Sequence, residues 1–550
     1  SVLLALWLVA CDGDPPPADG GGLDAGPNDP APPAELAAID ETARHVIPAL
    51  PGHAHVVRTE HDVPHIYADN RIDAWRVLGF TMARDRFFQM DLTARLSMGR
   101  LSELFGDAAL GTDIENRQTG AAHMAQLYLD GMSSEEGAEL DAFADGVNAY
   151  IAAVGRRELP PPKELEIGFG LLGARRPADL MRPWTRETVA ATGATVLYGT
   201  SFESVDPRRA AAMERIGSAF EGMPDADLRR EGLLRDIVGR GAPPRSASSA
   251  AGWGIDTAGR TSAPIVDPTP RRGPALLAGP RVERDMLARL VRRLDHLDAI
   301  RHPNGHEGWG SNEWAVMGSA TTDGRALLAG DGHLQLSVPA LFWQFGLDTA
   351  LMGDGSDDVR LMGATIAALP MMGVGTNGHV AWTQTAFFPD VTDWYAEELA
   401  LDAEGMPRAS RFRGEERPLV RVDEVFEIAN VPALGSVGRT ETLPRFITFD
   451  GRFITSIEGR RVSADEPLGP GEARVNLMGD WVVPEDVDGD GRIGAISFYY
   501  GPFDGGTLMR AFRGFASART VEDYRQAMRH FIGYGGSMMA ADSSGSIFYS

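Results

Sequence analysis

The sequence predicts an α+β protein, with helices in the first part of the chain and mainly strands in the second. Apolar side chains recur at helical spacing over long stretches of the first part, whereas after Asn312 the apolar runs are short and bounded by Gly or Asp. The chain has 550 residues. Since a typical domain has about 100 to 200 residues, a chain of this length can bury a large core or several cores.

The charge balance is acidic. Lys and Arg total 52 against 77 Asp and Glu, which gives a net charge of -25. Such a charge argues against nucleic acid or an anionic membrane surface as the partner. It does not require a cationic substrate, because no part of the chain concentrates the acidic residues around one recognisable site.

Residues 1–11 predict a lipoprotein signal segment. The apolar run from Val2 to Ala10 is too short to span a bilayer, which takes about 20 residues, and it ends at Cys11, the only cysteine. Leu8-Val9-Ala10-Cys11 matches a bacterial lipobox, in which the cysteine is lipidated. We therefore expect a cell-envelope protein anchored to a membrane through Cys11, on the periplasmic or the outer surface.

Residues 12–40 predict a flexible tether, because they are rich in Gly, Pro, Asp and Ala and poor in apolar residues. The alternative, a buried N-terminal strand, fits this composition less well. Residues 41–240 predict a mainly helical part. Asp73 is expected to cap a long helix, Gly106 to end the helical stretch that follows, and Ser134 to Val154 to form another helix.

Residues 241–310 predict a spacer or linker region. Gly241 to Pro280 is rich in Gly, Pro, Ala and Ser without sustained periodicity, and an amphipathic helix follows it. That helix is either part of the spacer or the last helix of the first part. Its apolar positions are Val282, Met286, Leu287, Leu290, Val291, Leu294, Leu297 and Ile300.

Short apolar segments after Asn312 predict strands. They are residues 314–317, 326–329, 379–383 and 493–500, and a strand, a turn and a second strand are expected between Tyr534 and Tyr549.

The segment Gly310-Ser311-Asn312-Glu313-Trp314 indicates a latent N-terminus inside the chain. If the chain is cut before Ser311, its hydroxyl and a free α-amine with an ordinary pKa of about 7.7 to 8 share one residue, and the amine can activate the hydroxyl. Gly310 is expected to permit the strained backbone that attack on its own carbonyl needs. The alternative is a plain Gly-Ser-Asn turn.

This segment, together with Val56–Ala68, Asp85–Leu92, Gly99–Gly106 and Leu328–Leu334, resembles the penicillin acylase family of N-terminal nucleophile (Ntn) hydrolases, including cephalosporin and acyl-homoserine-lactone acylases. The resemblance runs, with gaps, from about Val56 to the end of the chain.

The resemblance implies a four-layer αββα sandwich with a helical first-chain portion. It also implies a precursor that cuts itself at Gly310–Ser311 into an alpha/beta heterodimer: residues 41–240 as the alpha chain, 241–310 as spacer, and 311–550 as the N-terminal part of a longer catalytic beta chain. The implied activity is hydrolysis of a small N-acyl amide through an acyl-enzyme.

The resemblance also implies roles for individual residues. Ser311 is the nucleophile, His333 lies beside its α-amine, and the backbone N–H of Ala386 stabilises the oxyanion. A second oxyanion donor, an asparagine, is expected beyond Ser550. For His333 the alternative is a histidine whose hydrogen bonds are satisfied in a turn.

Phe202, Leu334 and Val374 fall near the acyl-pocket positions of the family. Leu334 and Val374 replace aromatic walls found in phenylacetyl-specific members, so we expect room for a linear apolar acyl chain.

Two segments predict calcium, which prefers hard oxygen ligands. By resemblance, Asp390 and Asp393 supply carboxylates and Thr392 a carbonyl, with a further ligand expected near Glu203 or Asp206. Separately, the spacing of the acidic residues after Glu485 fits the first half of an EF-hand loop, although Ser497 stands where that loop has a glutamate. These residues are Asp486, Asp488 and Asp490. Solvated acidic turns are the alternative in both places.

The sequence leaves three functions open. The first is a penicillin acylase-like amidase, the second an acyl-homoserine-lactone or other lipid-amide acylase, and the third a non-catalytic, calcium-stabilised envelope lipoprotein of the same fold. The coexistence of Ser311, His333 and Ala386 favours an enzyme.

Overall fold

The computed structural model describes residues 32–48, 50–202, 204–225, 229, 282–301, 310–334, 337–356, 358–386, 391–505, 508–532 and 535–550. Its α-helices are α1 Ala34–Ala37, α2 Arg71–Met98, α3 Ser102–Phe105, α4 Asp107–Thr119, α5 Ala121–Asp130, α6 Ser134–Gly155, α7 Lys163–Gly168, α8 Arg186–Ser201, α9 Val205–Ala219, α10 Arg284–Arg301, α11 Leu508–Ser517 and α12 Val521–Ala527.

The strands are β1 Ala54–Arg58, β2 Pro64–Ala68, β3 Gly310–Val316, β4 Leu327–His333, β5 Phe342–Asp348, β6 Arg360–Ile366, β7 Val374–Thr376, β8 Val380–Ala386, β9 Thr392–Leu401, β10 Pro407–Phe412, β11 Glu415–Pro418, β12 Val420–Ile428, β13 Arg439–Ile447, β14 Phe453–Ile457, β15 Gly459–Arg461, β16 Val475–Leu477, β17 Asp480–Pro484, β18 Ile493–Tyr500, β19 Gly536–Asp542 and β20 Ile547–Tyr549. Helices in the first part and strands in the second confirm the predicted α+β class.

An eight-stranded sheet forms the centre, in the order β1-β2-β5-β6-β7-β8-β19-β20. Its strands are antiparallel except for β2 and β5, which pair in parallel with Ile66 opposite Leu347. One face of the sheet is apolar and packs against α2, α6, α11 and α12. Side chains that join this core include Phe80, Phe143, Phe345, Trp382, Phe515, Tyr524 and Met538.

Strands β3 and β4 form a separate two-stranded ribbon that packs on the other face of this sheet, over β8 and β19. Ser311 pairs with Gly332 and Glu313 with Gly330, so these residues share one face of the ribbon. Gly330 lies so close to β8 that an added Cβ would be 1.8 Å from Thr383 Oγ1. We call this the inner face of the ribbon. Trp314 lies on the opposite, outer face and is 53% exposed.

A seven-stranded antiparallel sheet, in the order β11-β10-β9-β18-β14-β13-β12, completes the strand-rich part. Phe453, Phe498 and Tyr500 from this sheet meet Met124 of α5 and Tyr198 of α8 in a second core. The first part of the chain therefore packs on both large sheets.

The predicted amphipathic helix is confirmed as α10. Its side chains Met286, Leu287, Leu290, Leu294 and Leu297 are 1–3% exposed in a cluster with Met478 and Ile496. Polar contacts fix the same helix. Arg289 donates to Ile457 O at 3.0 Å, Arg293 donates to Asp480 at 3.1 Å, and His296 Nδ1 lies 2.9 Å from Glu115 Oε2.

Helix α2 begins three residues before the predicted position. Asn70, rather than Asp73, is the N-cap, and its side chain accepts a hydrogen bond from the Asp73 backbone N–H at 2.9 Å. Asparagine caps helices as well as aspartate does, and the spacing puts Asp73 at the third helical position. As predicted, Gly106 follows a helix end, with φ of 62°. Helix α6 begins after a capping box formed by Ser133 and Glu136.

Candidate active site

Ser311 is the second residue of β3, and its side chain lies on the inner face of the ribbon. Its hydroxyl donates a hydrogen bond to the carbonyl oxygen of Gly310 at 2.7 Å. The nucleophile predicted from the sequence is thus in contact with the carbonyl group of the predicted cleavage bond. Gly310 itself is the first residue of the extended strand, and its φ is outside the left-handed region.

His333, the last residue of β4, stands opposite Gly310 across the ribbon. Its Nε2 lies 3.0 Å from the Asn312 amide nitrogen and 3.4 Å from a carboxylate oxygen of Asp331. If the Asn312 amide donates to Nε2, the ring proton sits on Nδ1. Nδ1 lies 3.4 Å from the position that a Cβ on Gly310 would take. The imidazole is therefore adjacent to the Gly310–Ser311 bond.

Ala386 ends β8, and two contacts fix the direction in which the ribbon lies over this strand. Just after β3, the N–H of Gly318 donates to Gly545 O at 2.8 Å. Gly545 lies in the turn between β19 and β20, and Ser543 of the same turn donates its N–H to the carbonyl oxygen of His379, just before β8. Gly330 meets Thr383 in the middle of β8. The opposite end of the ribbon, which carries Ser311, therefore points toward Ala386.

Glu313 was not singled out from the sequence, yet it is the most unusual side chain of the ribbon. Both carboxyl oxygens are buried, and neither has a hydrogen-bond partner among the described residues. Burial raises the pKa of this carboxyl to about 7. Glu313 lies two residues from Ser311 on the inner face, where the alternation of a strand places every second side chain.

Of the three predicted pocket residues, Leu334 and Val374 lie at the ribbon and the central sheet, whereas Phe202 lies in the second core. Leu334 follows β4, is half-buried, and approaches Gly332 together with Phe342. Val374 is the first residue of β7 and pairs with Ala364 of β6. The next two residues of β7 pair with β8. Phe202 packs in the second core, with ring centroids 5.1 to 6.3 Å from Tyr198, Phe498, Tyr500 and Trp394.

Two of the calcium ligands predicted by resemblance, Asp390 and Glu203, lie outside the described residues. Thr392 begins β9 and is 1% exposed, whereas Asp393 is exposed on the same strand. Asp206 lies in the first turn of α9, which packs against β9. The carboxylates and carbonyls available here are oxygen donors of the type that suits calcium.

The second acidic loop forms the turn between β17 and β18, and Asp486 organises it by accepting backbone hydrogen bonds from Gly489, Asp490 and Gly491 at 2.7 to 3.1 Å. Ser497 lies away from this turn, in β18, where its hydroxyl donates to Glu397 at 2.6 Å.

Glu458, which joins β14 and β15, reaches the acidic loop from a distant part of the sequence. Its carboxylate accepts backbone N–H groups of Val487 and Asp488 at 2.7 and 3.0 Å. Among the described residues, the carboxylates of Glu458, Asp486 and Asp488 form the group whose oxygens lie within 4.8 Å of one another. The sequence separation explains why Glu458 was missed. All three groups supply the hard oxygen donors that calcium prefers.

The predicted lipidation site Cys11 lies outside the described residues, as do most of the tether and spacer. Within the described ranges, no helix has both the length and the apolar character needed to cross a bilayer.

A helical layer on a central sheet, with the ribbon as a second β-layer on the other face, is the layering of the N-terminal nucleophile hydrolase fold. The sequence profile of the penicillin amidase family matches residues 53–550, so the chain belongs to that family. The resemblance predicted from the sequence is therefore confirmed.

Three proteins illustrate the relationship. Penicillin acylase 2 proenzyme of Pseudomonas sp. (strain SE83) is 30% identical over 381 residues, which cover 68% of this chain and 41% of that protein. Acyl-homoserine lactone acylase QuiP of Pseudomonas aeruginosa is 26% identical over 327 residues, covering 60% of this chain and 32% of that protein.

A solved structure of thermostable penicillin G acylase from Alcaligenes faecalis is 25% identical, with a TM-score of 0.28, and the match covers 34% of this chain and 90% of that chain. The chain spans about a third to two fifths of the length of the two curated relatives.

Proposed function

We propose that this chain belongs to a precursor that cuts its own Gly310–Ser311 bond and then hydrolyses an N-acyl amide with Ser311 as an N-terminal nucleophile. The observation that carries the proposal is the 2.7 Å hydrogen bond from the Ser311 hydroxyl to Gly310 O. It keeps the attacking oxygen beside the carbonyl group of the bond to be cut, as proximity catalysis requires.

In the maturation step, Ser311 Oγ bonds to the carbonyl carbon of Gly310, the C–N bond breaks, and the nitrogen takes up the hydroxyl proton. The product is an ester that water hydrolyses to a Gly310 carboxylate, a Ser311 hydroxyl and a free α-amine. His333 is proposed to position the end of the ribbon beside this bond, since its ring lies on the outer face, away from the Ser311 hydroxyl, and its Nε2 is 3.0 Å from the Asn312 amide nitrogen.

In the catalytic step, the α-amine accepts the Ser311 hydroxyl proton while Oγ attacks the carbonyl carbon of the substrate amide. The proton passes to the departing amine, the acyl group stays on Oγ as an ester, and water releases it as an acid. The Ala386 N–H is proposed as an oxyanion donor. One such donor contributes roughly 100 to 1,000-fold in rate.

The proposed substrate is an amide with a linear apolar acyl chain, because Leu334 and Val374 are aliphatic and Leu334 adjoins the ribbon end that carries Ser311. A relative named as an acyl-homoserine lactone acylase agrees with this chemistry. Each methylene of fit in such a pocket discriminates by only about 1 to 3 kcal/mol, so β-lactam amides stay in competition as substrates.

Calcium is proposed as a stabilising ion rather than a reactant. The oxygen donors of Thr392 and Asp393, with Asp390, would hold one ion, and the group formed by Glu458, Asp486 and Asp488 would hold a second. Attachment to an envelope membrane through a lipid on Cys11 and persistence of the cut chains as an alpha/beta heterodimer complete the proposal.

The test is expression of the full-length protein and of its Ser311→Ala variant. The wild type should run as two chains on a denaturing gel, with the larger beginning at Ser311, and the variant as one chain without amidase activity. Ser311→Cys is the matched control, because a thiol can still attack the Gly310 carbonyl. A wild type that stays in one chain would instead support the non-catalytic binding protein, and another mature N-terminus would reject Ser311 as the nucleophile.

A further inference from the structure

Glu313 is a buried carboxyl group without a hydrogen-bond partner in the described part of the chain. It pairs across the ribbon with Gly330, which has no side chain to offer, and its carboxyl end lies between the ribbon and the eight-stranded sheet. An ionised carboxylate buried without a partner is strongly unfavourable. Within the described residues the carboxyl group is therefore favoured in its neutral form, unless a cation comes to lie beside it.

The layers that enclose Glu313 supply no such cation among the described residues. On β8 the side chains facing the ribbon are Ala381, Thr383 and Thr385, and on β19 they are their register partners Ser537, Met539 and Ala541. None of these titrates. On the ribbon itself, Asp331 and His333 pair with outer-face residues and so lie on the side away from Glu313.

We propose that Glu313 is a positioning residue that pairs with the α-ammonium group created at Ser311 by cleavage. This inference rests on the proposed self-cleavage. Residues two apart on a strand are separated by about 6.6 to 6.8 Å and point to the same side. The glutamate stem can shorten that separation to the range of about 4 to 6 Å in which an opposite charge favours ionisation.

The pairing changes the protonation state of both Glu313 and the Ser311 α-amine, which is the proposed base. Before cleavage, Glu313 has a pKa of about 7 because of burial, and near neutral pH much of it is uncharged. After cleavage, the new ammonium group favours the carboxylate, and the carboxylate in turn favours the protonated amine. Glu313 thus holds the amino group on the inner face of the ribbon and raises its pKa above the ordinary value of about 7.7 to 8.

The test is titration of the Ser311 α-amine in the mature full-length protein. Acetic anhydride is applied between pH 5 and 10, and acetylation of the N-terminal peptide is followed by mass spectrometry. The expected amine pKa lies above about 8 in the wild type and about one unit lower in Glu313→Gln. Glu313→Asp should retain part of the shift. Asp323→Asn, in the exposed turn between β3 and β4, is the matched control for loss of one negative charge and should leave the amine pKa unchanged.

The outcomes distinguish failure of the proposed self-cleavage from failure of the proposed pairing between Glu313 and the α-amine. A wild type that is not cut at Ser311 refutes the proposed function, whereas a processed wild type with an amine pKa of 8 or lower refutes the role of Glu313 alone. Equal amine pKa values in the wild type and a processed Glu313→Gln also refute it. If Glu313→Gln does not fold, the wild-type titration together with Glu313→Asp is sufficient.

Discussion

Replacing Gly330 by Ala should lift the ribbon from the central sheet. The new Cβ would stand 1.8 Å from Thr383 Oγ1, and rotation of the Thr383 side chain would still leave its Cβ at 2.7 Å. Ordinary contact begins at 3.4 Å, so the ribbon must move by about 0.7 to 1.6 Å, the differences between these distances. Overpacking of this kind typically costs about 1 to 3 kcal/mol of folding stability.

The same displacement should affect Ser311, since it is carried by the paired strand of the ribbon. A shift of about 1 Å in a reacting group can cost on the order of 100-fold in rate. Gly332→Ala is the matched control, because the nearest atoms to its Cβ would be those of Leu334 and Phe342, at an ordinary contact distance of 3.7 to 4.0 Å. Stability is compared by chemical unfolding in the uncut Ser311→Ala background, and processing is followed on gels in the Ser311 background.

A third variant tests whether Thr383 is the cause. Thr383→Gly removes all three atoms within 3.1 Å of the new Cβ, so it should be less destabilising in the presence of Gly330→Ala than alone. If the stability losses of Gly330→Ala and Thr383→Gly are additive in the double variant, the close approach of ribbon and sheet is refuted. Equal stability losses for Gly330→Ala and Gly332→Ala would also refute it.

Three further outcomes are expected. In the uncut Ser311→Ala protein, Glu313 should lose its proton near pH 7 when folded but near 4.5 when unfolded, so its contribution to stability falls as the pH rises between these values. Glu313→Gln should therefore gain stability relative to Glu313 at pH 8 but not at pH 4, and equal differences at both pH values would contradict this. Chelation should lower the melting temperature by removing bound calcium, and Asp393→Asn and Asp486→Asn, each assayed for bound calcium, separate the two sites. A protein that contains no metal would reject both. Finally, kcat/KM should rise with acyl length in N-acyl homoserine lactones, at about 0.8 kcal/mol per buried CH₂, until the pocket is full. Changing Leu334 and Val374 to Phe should favour penicillin G, and a wild type that already prefers penicillin G shows that the pocket is not aliphatic.

The sequence predicted those helices and strands whose apolar residues repeat along one buried face. The periodicity of α10, the turn and strands at the end of the chain, and the strand at Ile493 to Tyr500 were all visible in the sequence, because one buried face leaves a repeat of 3.6 or 2 residues. The cap at Asn70 was missed because Asn and Asp cap equally well and both occur within four residues.

Other features depend on pairing between distant segments, and no local pattern predicts them. Glu458 joins the acidic loop only because β15, which follows it, pairs with β17 in the folded chain. Glu313 looked like an ordinary polar residue within a motif, and its burial follows from the ribbon packing on the central sheet. The parallel pairing of β2 with β5 likewise needed the structure, since about 280 residues separate the two strands.

The parallel pairing of β2 with β5 decides what the proposed self-cleavage would do to the assembly. Strands β1 and β2 precede Ser311 and β5 follows it, so a cut at Ser311 leaves two polypeptides sharing one continuous hydrogen-bonded sheet. Separating them would expose an unpaired strand edge on each and open the apolar core beneath. Subunit dissociation and unfolding would then be one event, and the two chains would not exchange between molecules under conditions in which the protein stays folded.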